Sequence, residues 1–568
     1  MTWSQLYTPV GGSLGISALV AVIPILYFFW ALAVKRMKGY VAGLTTLLIA
    51  IVVAVLVYQM PAGMAVMSVA QGGVYGVLPI GWIIVSSVFL YKLTVKTGQF
   101  DIIRSSVLSI TEDRRLQALL VAFSFGAFLE GAAGFGAPIA ISAALLVGLG
   151  FHPLYAAGLC LIANTAPVAF GAIGIPIIAM EGPTGIPAME ISKMVGRQLP
   201  FLSVFIPFYL VVIMAGWKRS IEVLPAILVS GISFALTQYL SSNFLGPELP
   251  DILSSLVSLV ALTLFLKVWK PKTIFRFASE KDAAIARGEM AAASQSVGSG
   301  KSSFTGGQVF KAWSPFLVLT AFIAAWGIPS VKSALIGKYA GENVLLSALN
   351  PIGKALSFSP EVPGLHNLII GADGKPIAAV FKLELLAAAG TAILLAAIVT
   401  KFIVRISWKD WFITFGETMQ EMKFPLLTIA SVVGFAYVAN ASGMTTTLGM
   451  TLAGTGALFP FFAPFLGWLG VFITGSDTSS NLLFGNLQKV TATSVGMEPV
   501  LALAANTSGG VAGKMISPQS IAVACAAVGL NGKESDLFRF TVKHSLILVT
   551  IIGIMTYLQS TILTWMIP

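Results

Sequence analysis

The sequence predicts an all-α polytopic membrane protein with about 12 transmembrane helices and two additional re-entrant hairpins. Hydrophobic residues make up 57% of the chain and charged residues only 10%, against about 25% charged residues in soluble domains. Many apolar runs reach the roughly 20 residues that a helix needs to cross a bilayer. The net charge of +11 lies mostly in short loops, where it predicts orientation in the membrane rather than binding to nucleic acid.

Residues 1–60 predict two N-terminal spans. The first apolar run, residues 12–34, has no basic residue before it and is followed by the basic segment 35–38. This pattern favours an uncleaved first span that begins outside the cell. When every basic loop is placed in the cytoplasm, the path of the chain leaves both termini in the periplasm.

Residues 61–217 form the first of two predicted repeats. Its elements are a span at 74–91, an interfacial stretch at 100–110, a hairpin at 116–150 and a helix at 153–180 that is broken between 164 and 176. Two connecting spans are then expected in residues 218–268, and a polar, charged segment at 269–308 is typical of a cytoplasmic linker.

The second half of the chain is predicted to end in the second repeat. Residues 309–407 predict connecting spans around an external segment, 329–376, with a short hairpin near Asp373-Gly374. Residues 408–568 contain the second repeat. Its elements are an amphipathic stretch at 408–419, a span at 424–438, a hairpin at 461–495 interrupted at 475–481, a helix at 499–528 broken at 506–513, and a last span.

The motif GAFLEGAAGFGAP, residues 126–138, is the strongest anomaly in the chain. It places Glu130 and four glycines in an otherwise apolar run, and a charge in the bilayer costs at least about 2.5–3.5 kcal/mol. Glycine weakens a helix but lets the backbone come close to another group. The motif therefore predicts a broken helix lining a solute site, or alternatively a Gly/Ala-rich helix with a structurally paired glutamate.

The two broken helices match each other. Asn164-Thr165 is followed by Gly171 and Pro176 at the same spacings as Asn506-Thr507 by Gly513 and Pro518. The loop near Gly98 is basic and the loop near Gly443 is uncharged, which predicts opposite orientations for the two halves. Inverted repeats with discontinuous helices are typical of secondary transporters that bind substrate near the middle of the membrane.

The residues at the breaks are suited to a small hydroxy-carboxylate. Helix N-termini at breaks favour anions, Lys514 provides a cation, and neutral side chains provide hydrogen bonds for a carboxylate and a hydroxyl. Snorkelling of Lys514 or its pairing with Asp477, and helix capping by the Asn-Thr pairs, are the structural alternatives. The candidate substrate-binding residues are Ser476, Asp477, Thr478, Ser479, Ser480, Asn481, Asn506, Thr507, Ser508, Lys514, Asn164, Thr165, Gly134 and Gly136.

Glu130 and Asp477 are the main candidates for proton coupling, and His152 is a weaker one. A carboxyl group in a low-dielectric site holds a proton more readily than it does in water, and the surroundings of Glu130 are the more apolar. Sodium coupling remains the alternative. The sequence has no metal-binding pattern, nucleotide-binding loop or catalytic triad, so we expect neither an enzyme nor a cofactor. Cys160 and Cys525 lie in apolar segments.

The chain resembles the bacterial L-lactate permease family, within the ion-transporter superfamily. The resemblance rests on long blocks at residues 125–141, 152–177, 194–201, 241–252 and 474–488. It implies symport of L-lactate with a proton across the inner membrane, extending to D-lactate and glycolate. It also implies an elevator-type transport domain, made of the two hairpins and two broken helices, that moves against a scaffold. The partners expected are the substrate, protons and the lipid bilayer; a homo-oligomer is left open.

Overall fold

The architecture is that of an all-helical membrane protein. The structure, a computed structural model, describes residues 2–35, 37–132, 134, 137–277, 304–371, 374–530 and 533–568. Within these residues ten helices are long and apolar enough to cross a membrane, and two bent helix pairs pass the same test when each is taken as one span. The predicted polytopic class is therefore confirmed.

Lipid-facing surfaces are visible on single helices. In Gly39–Leu56, the residues Leu44, Leu48, Val52 and Leu56 are exposed at four-residue intervals. Residues with this spacing lie on one face of a helix. Because a continuous apolar stripe is unfavourable in water, the stripe indicates contact with lipid.

The first half consists almost entirely of helices. The first span is formed by Leu14–Ala21, Ile23–Phe29 and the π-helical turn Trp30–Val34. The helices that follow are Gly39–Leu56, Ala62–Lys96, Gln99–Leu108, Arg114–Ala132, Ala137–Gly148, Pro153–Ala163, Gly171–Thr184, Ala188–Val195, Leu199–Ala215, Trp217–Ile221, Leu224–Phe244 and Pro250–Val268.

The second half adds helices and two small sheets. Its helices are Gly306–Gly327, Pro329–Leu335, Val344–Ala355, Ala389–Val404, Trp408–Ser442, Met444–Leu452, Phe459–Thr474, Asp477–Val495, Pro499–Lys514, Pro518–Ala527 and Glu534–Thr561. Trp3–Ser4 pairs in parallel with Ile369–Ile370, and Ser357–Phe358 pairs antiparallel with Leu383–Glu384. The N-terminal strand and the segment 329–376 therefore lie on the same side of the protein.

Two long helices, Ala62–Lys96 and Trp408–Ser442, cross each other. Both are 35 residues long, and a Cβ on Gly72 would lie 2.7 Å from the carbonyl oxygen of Val433. Small residues at such a crossing let two backbones come into direct contact. The amphipathic stretch predicted at 408–419 is the beginning of the second long helix, which continues without a break through the predicted span at 424–438.

Each hairpin consists of two helical arms. Hairpin A comprises Arg114–Ala132 and Ala137–Gly148, and its tip includes Gly134 in the left-handed conformation. Hairpin B comprises Phe459–Thr474 and Asp477–Val495. Their tips interrupt the helical backbone in the middle of apolar sequence, beside the polar side chains described below.

The two broken helices differ in where they break. Broken helix A bends by 64° between Pro153–Ala163 and Val168–Thr184. In broken helix B, Pro499–Lys514 is one continuous helix and the break follows it, before Pro518. The expected break at 506–513 is therefore wrong. Its glycines serve packing instead, because a Cβ on Gly509 or Gly513 would collide with the backbone of Phe459–Thr474.

Two predicted segments are described only in part. Most of the predicted linker, residues 278–303, lies outside the described residues, and Gly306–Gly327 begins within its predicted end. At the predicted external hairpin, the Gly371 N–H donates to the Lys375 carbonyl at 3.0 Å. Asp373 lies outside the described residues.

Candidate functional site

A buried ion pair joins the two halves of the chain. The Lys514 ammonium lies 2.9 Å from Oε1 of Glu130, and the two residues are only 8% and 2% exposed. Lys514 ends the helix Pro499–Lys514, where the negative end of the helix dipole favours a cation. Lys514 therefore neither snorkels to the interface nor forms its ion pair with Asp477; its partner is Glu130.

Glycine makes room for Glu130. A Cβ on Gly171 would lie 2.7 Å from Oε1 of Glu130, so a larger side chain would displace the carboxylate. The next three residues, Ala172, Ile173 and Gly174, have positive φ angles of 46°, 59° and 72°. This conformation is strained for a β-branched residue such as Ile173 and is typically found at functional sites.

The tip of hairpin A packs directly against this strained segment. A Cβ on Gly134 would lie 2.9 Å from the Cβ of Ala172. Gly134 has a φ angle of 60° and is buried. The predicted site residue Gly136 lies outside the described residues. Glu130 is therefore enclosed by backbone that would not accept larger side chains.

Asp477 is the centre of a second polar cluster. Its Oδ2 accepts hydrogen bonds from the Thr507 hydroxyl at 2.5 Å and from the Asn481 amide at 3.3 Å. The side-chain oxygen of Asn481 accepts a hydrogen bond from the side-chain amide of Asn506 at 2.8 Å. All four residues are almost completely buried. A glycine again makes room for the acid, because a Cβ on Gly510 would collide with Oδ1 of Asp477.

The two clusters form one polar centre. The Asn481 amide also donates to the carbonyl oxygen of Pro176 at 3.1 Å, which ties hairpin B to broken helix A. The Asp477 carboxyl interacts electrostatically with both Lys514 and Glu130. The centre is buried and its side chains bond mainly to one another, so a solute can reach it only after the surrounding elements move.

Two acids in the polar centre each have one carboxylate oxygen that makes no described hydrogen bond. Among the residues that the structure describes, Oε2 of Glu130 and Oδ1 of Asp477 are buried without a hydrogen-bond partner. A buried polar atom without a partner is costly. These oxygens are suited to hold a proton or to receive a donor from a bound molecule.

Other predicted residues around hairpin B have structural partners. Ser476 caps the helix Asp477–Val495 by accepting from the Ser479 N–H, and Asp477 occupies its first turn. The expected free helix N-terminus is thus already capped and lies next to an acid. Ser480 donates to the carbonyl oxygen of Gly467 at 3.1 Å, and Ser508 donates to Gln198 at 2.8 Å. Thr478 is half-buried.

The predicted residues of broken helix A lie apart from the centre in their described contacts. The backbone of Asn164 ends the helix Pro153–Ala163, while its buried side-chain nitrogen has no hydrogen-bond partner among the described residues. The Thr165 hydroxyl donates to the carbonyl of Ile162. His152 is exposed and accepts from the Leu154 N–H at 3.3 Å as an N-cap. These contacts correspond to the structural alternatives to ligand binding.

Sequence reasoning missed two residues of the centre. Gln488 donates to the Asn506 side chain at 3.1 Å. Asp251 is 1% exposed, and a Cβ on Gly131 would lie 2.7 Å from the Cβ of Asp251. The signal for Asp251 was present, as an acid that directly follows Pro250 at the start of an apolar run.

Comparisons of the sequence with known proteins identify its family. The L-lactate permease family profile matches residues 17–563. The L-lactate permease of Bacillus subtilis is 72% identical over the full length of both chains, and the glycolate permease GlcA of Escherichia coli is 55% identical over 100% of this chain and 99% of its own. The solved structure of MtrF from Neisseria gonorrhoeae, from a class of antimetabolite efflux pumps, aligns with a TM-score of 0.48 at 13% identity, covering 91% of this chain and 94% of its own. The relatives matched in sequence are named permeases rather than enzymes, and the chain belongs to the L-lactate permease family.

Proposed function

We propose that this protein takes up L-lactate, and the related 2-hydroxymonocarboxylates D-lactate and glycolate, together with a proton across the bacterial inner membrane. The relatives are named for L-lactate and glycolate permeation, which supports this substrate class. The observation that carries the coupling is the buried ion pair between Lys514 and Glu130. In this pair the Glu130 carboxylate binds the Lys514 ammonium, which is the cation that a substrate carboxylate would need.

The proposed coupling follows from charge balance at Lys514. A lactate carboxylate and an ionised Glu130 compete for one ammonium group, and a second uncompensated negative charge in a buried site is strongly unfavourable. Protonation of Glu130 removes the competitor and releases Lys514 for lactate. One proton and one lactate anion therefore enter together, and the net charge of the site does not change.

The cluster around Asp477 is proposed to recognise the 2-hydroxyl group of the substrate. Asp477, Asn481 and Thr507 provide acceptors and donors beside the ion pair. A buried site built to hydrogen-bond a hydroxyl can reject an analogue without one by about 10⁴-fold, because its polar groups then stay unpaired. We expect propionate, which lacks this hydroxyl, to compete poorly with lactate.

Movement of the site is proposed to follow an elevator scheme. The bond between Asn481 and Pro176 supports treating hairpin B and broken helix A as parts of one transport domain. The two long helices, Ala62–Lys96 and Trp408–Ser442, are proposed as the scaffold. The internal match between the halves supports inverted repeats, and the basic loops support an orientation with both termini in the periplasm.

The decisive experiment is uptake of radiolabelled lactate into proteoliposomes that contain only the purified protein. An imposed pH gradient, acid outside, is expected to drive accumulation of lactate and an accompanying entry of protons. A sodium gradient at equal pH on both sides is expected to drive none. Accumulation that follows the sodium gradient would overturn proton coupling, and absence of lactate exchange would overturn the transport proposal itself.

A further inference from the structure

Asp251 is a buried acid with no role in the scheme above. It is 1% exposed, and neither of its carboxylate oxygens has a hydrogen-bond partner among the residues that the structure describes. An ionised carboxylate in that position would be a buried charge without a donor, which is very unfavourable. The neutral, protonated acid is the form that such a site accommodates.

The position of Asp251 brings it against the residue that follows Glu130. Its Cβ lies against the backbone of Gly131, the residue directly after Glu130. The Asp251 carboxyl interacts electrostatically with both Glu130 and Lys514. Oε2 of Glu130, which does not contact Lys514, is itself without a described partner. Two acids with free oxygens thus lie beside one lysine.

The remaining charged groups around Asp251 are few. The helix Leu224–Phe244, which packs against the Asp251 helix, carries no charged residue. The charged and titratable groups on the elements packed against Asp251, together with those on its own helix and loop, are Glu130, Arg114, Arg115, Glu181, Tyr239, Glu248, Lys267 and Lys514. Of these, Glu130 and Lys514 are the groups that act on its carboxyl.

We propose that Asp251 is the proton relay of the transporter, through which Glu130 gains the proton that releases Lys514. This inference rests on the proposed function and adds a second carboxyl to it. The proton leaves the Asp251 carboxyl and joins Oε2 of Glu130, so the negative charge passes from Glu130 to Asp251. A proton from the periplasm then protonates Asp251 again before lactate binds, so that Lys514 never faces two anions. Lys514 neutralises the site before and after the transfer.

The location of Asp251 supports this role. Asp251 lies in the first turn of Pro250–Val268, where the positive end of the helix dipole stabilises the carboxylate left after proton transfer. The preceding loop carries Glu248, which is half-buried and lies three residues before Asp251. In the predicted orientation this loop faces the periplasm, the side from which a proton enters during uptake.

The test compares coupled and uncoupled transport in one purified protein. Asp251→Asn keeps the size of the side chain and removes its ability to ionise. We expect this variant to lose pH-gradient-driven lactate accumulation and lactate-dependent proton entry by about tenfold or more, while lactate counterflow persists at no less than about one third of the wild-type rate. Asp251→Glu restores an ionisable group and is expected to recover coupled uptake in part.

Two further variants make the result specific. Asp101→Asn removes an exposed acid in the interfacial helix Gln99–Leu108 and is expected to transport like the wild type. Glu130→Gln is expected to lose coupled uptake, because the glutamine neither carries the proton nor holds Lys514 by charge.

The outcomes separate the relay from the proposed function. Full pH-driven accumulation by Asp251→Asn, with loss of accumulation in Glu130→Gln, would overturn the relay and leave proton coupling at Glu130 intact. Accumulation in both variants would overturn the proposed coupling as well. Loss of both counterflow and accumulation in Asp251→Asn, with the protein folded, would assign Asp251 to substrate binding and would also overturn the relay.

Discussion

At the scale of single residues, the central feature is a buried lysine that pairs with a protein carboxylate. Lys514 is buried, ends a helix and pairs with Glu130 across the two halves of the chain. Burying an ion pair is not by itself stabilising, because both charges lose water. The pair is therefore better explained by a function that exchanges one anionic partner for another.

Replacement of Lys514 tests this exchange. Lys514→Ala removes the cation proposed to bind the lactate carboxylate and is expected to raise the apparent KM for lactate by about tenfold or more. Initial rates of counterflow over a range of lactate concentrations measure the change. An unchanged KM would show that Lys514 serves Glu130 alone.

The glycines beside the two acids make a second prediction. Gly171→Ala would push a methyl group against Glu130, and Gly510→Ala against Asp477. Each is expected to lower the rate of lactate transport by about tenfold, because small misplacements of site groups are costly. Gly63→Ala is the matched control, since a Cβ there meets nothing within 4 Å. Equal rates in all three variants would mean that the acids do not need their observed positions.

At the scale of elements, Arg115 connects the base of hairpin A to two other segments. The arginine is fully buried and forms a two-bond pair with Asp113 at 3.1 and 2.8 Å. It also donates to Glu222 at 2.8 Å and to the carbonyl oxygens of Arg219 and Thr273. The basic loop was expected only to orient the chain; the structure shows that this arginine also holds the hairpin in place.

Removal of Arg115 is expected to destabilise the protein. Arg115→Ala leaves the carboxylate of Asp113 buried without its cation, which costs about 3–5 kcal/mol. Thermal unfolding of the detergent-purified protein should show a clearly lowered Tm. Lys96→Ala removes an exposed partner 3.9 Å from Glu417 and should change the stability by less than about 1 kcal/mol. A similar Tm for both variants would contradict the role given to Arg115.

The partner Glu222 predicts a dependence on pH. The Arg115 guanidinium hydrogen-bonds this carboxylate in the loop before Leu224 and lowers its pKa below the usual 4.5. A lowered pKa in the folded state means that the pair stabilises the fold above about pH 4.5 and that this contribution is lost as the pH falls through the lowered value. We expect Glu222→Gln to flatten the fall in Tm on acidification; an equally steep fall would refute this.

At the scale of the whole molecule, the proposed elevator motion requires that the contacts between the transport domain and the scaffold can break. Asn486 of hairpin B donates to the Asn440 side chain of the second long helix at 2.9 Å. This bond crosses from the proposed transport domain to the proposed scaffold. Asn440 also donates to the carbonyl oxygen of Pro183 in broken helix A at 3.2 Å, so both hydrogen bonds must break when the transport domain moves.

Cross-linking at this contact tests the elevator scheme. In a background without Cys160 and Cys525, the pair Asn440→Cys and Asn486→Cys is expected to be joined by Hg²⁺ and to lose lactate counterflow. Reducing agent should restore it, and neither single variant should respond to Hg²⁺. Undiminished counterflow in the cross-linked protein would rule out movement of hairpin B past the second long helix.

Some residues of the polar centre could be predicted from the sequence. Glu130, Asp477, Asn481, Thr507 and Lys514 were all predicted as site residues, because charged and amide side chains are rare in apolar segments. The pairing of Lys514 was not predictable, since Glu130 lies 384 positions away in the chain. Asp251 was overlooked for the same reason, because only packing against Gly131 brings it to the site.

Hydrophobicity is a local property, so the chain by itself determined the polytopic class. Its Asn, Gly and Pro residues also predicted a break in the helix between 164 and 176, but the strained conformation of Ala172 and Ile173 depends on the surrounding structure. The tertiary structure alone decided the role of residues whose sequence pattern is compatible with more than one structure. The glycines of 506–513 were equally compatible with a break or with close packing, and the adjacent helix Phe459–Thr474 selected packing. Glu130 appears in the sequence as a single anomalous acid, and its partner Lys514 lies in the other half of the chain. Only the tertiary structure decides this pairing, because a buried charge is stabilised by the opposite charge that the fold brings close to it.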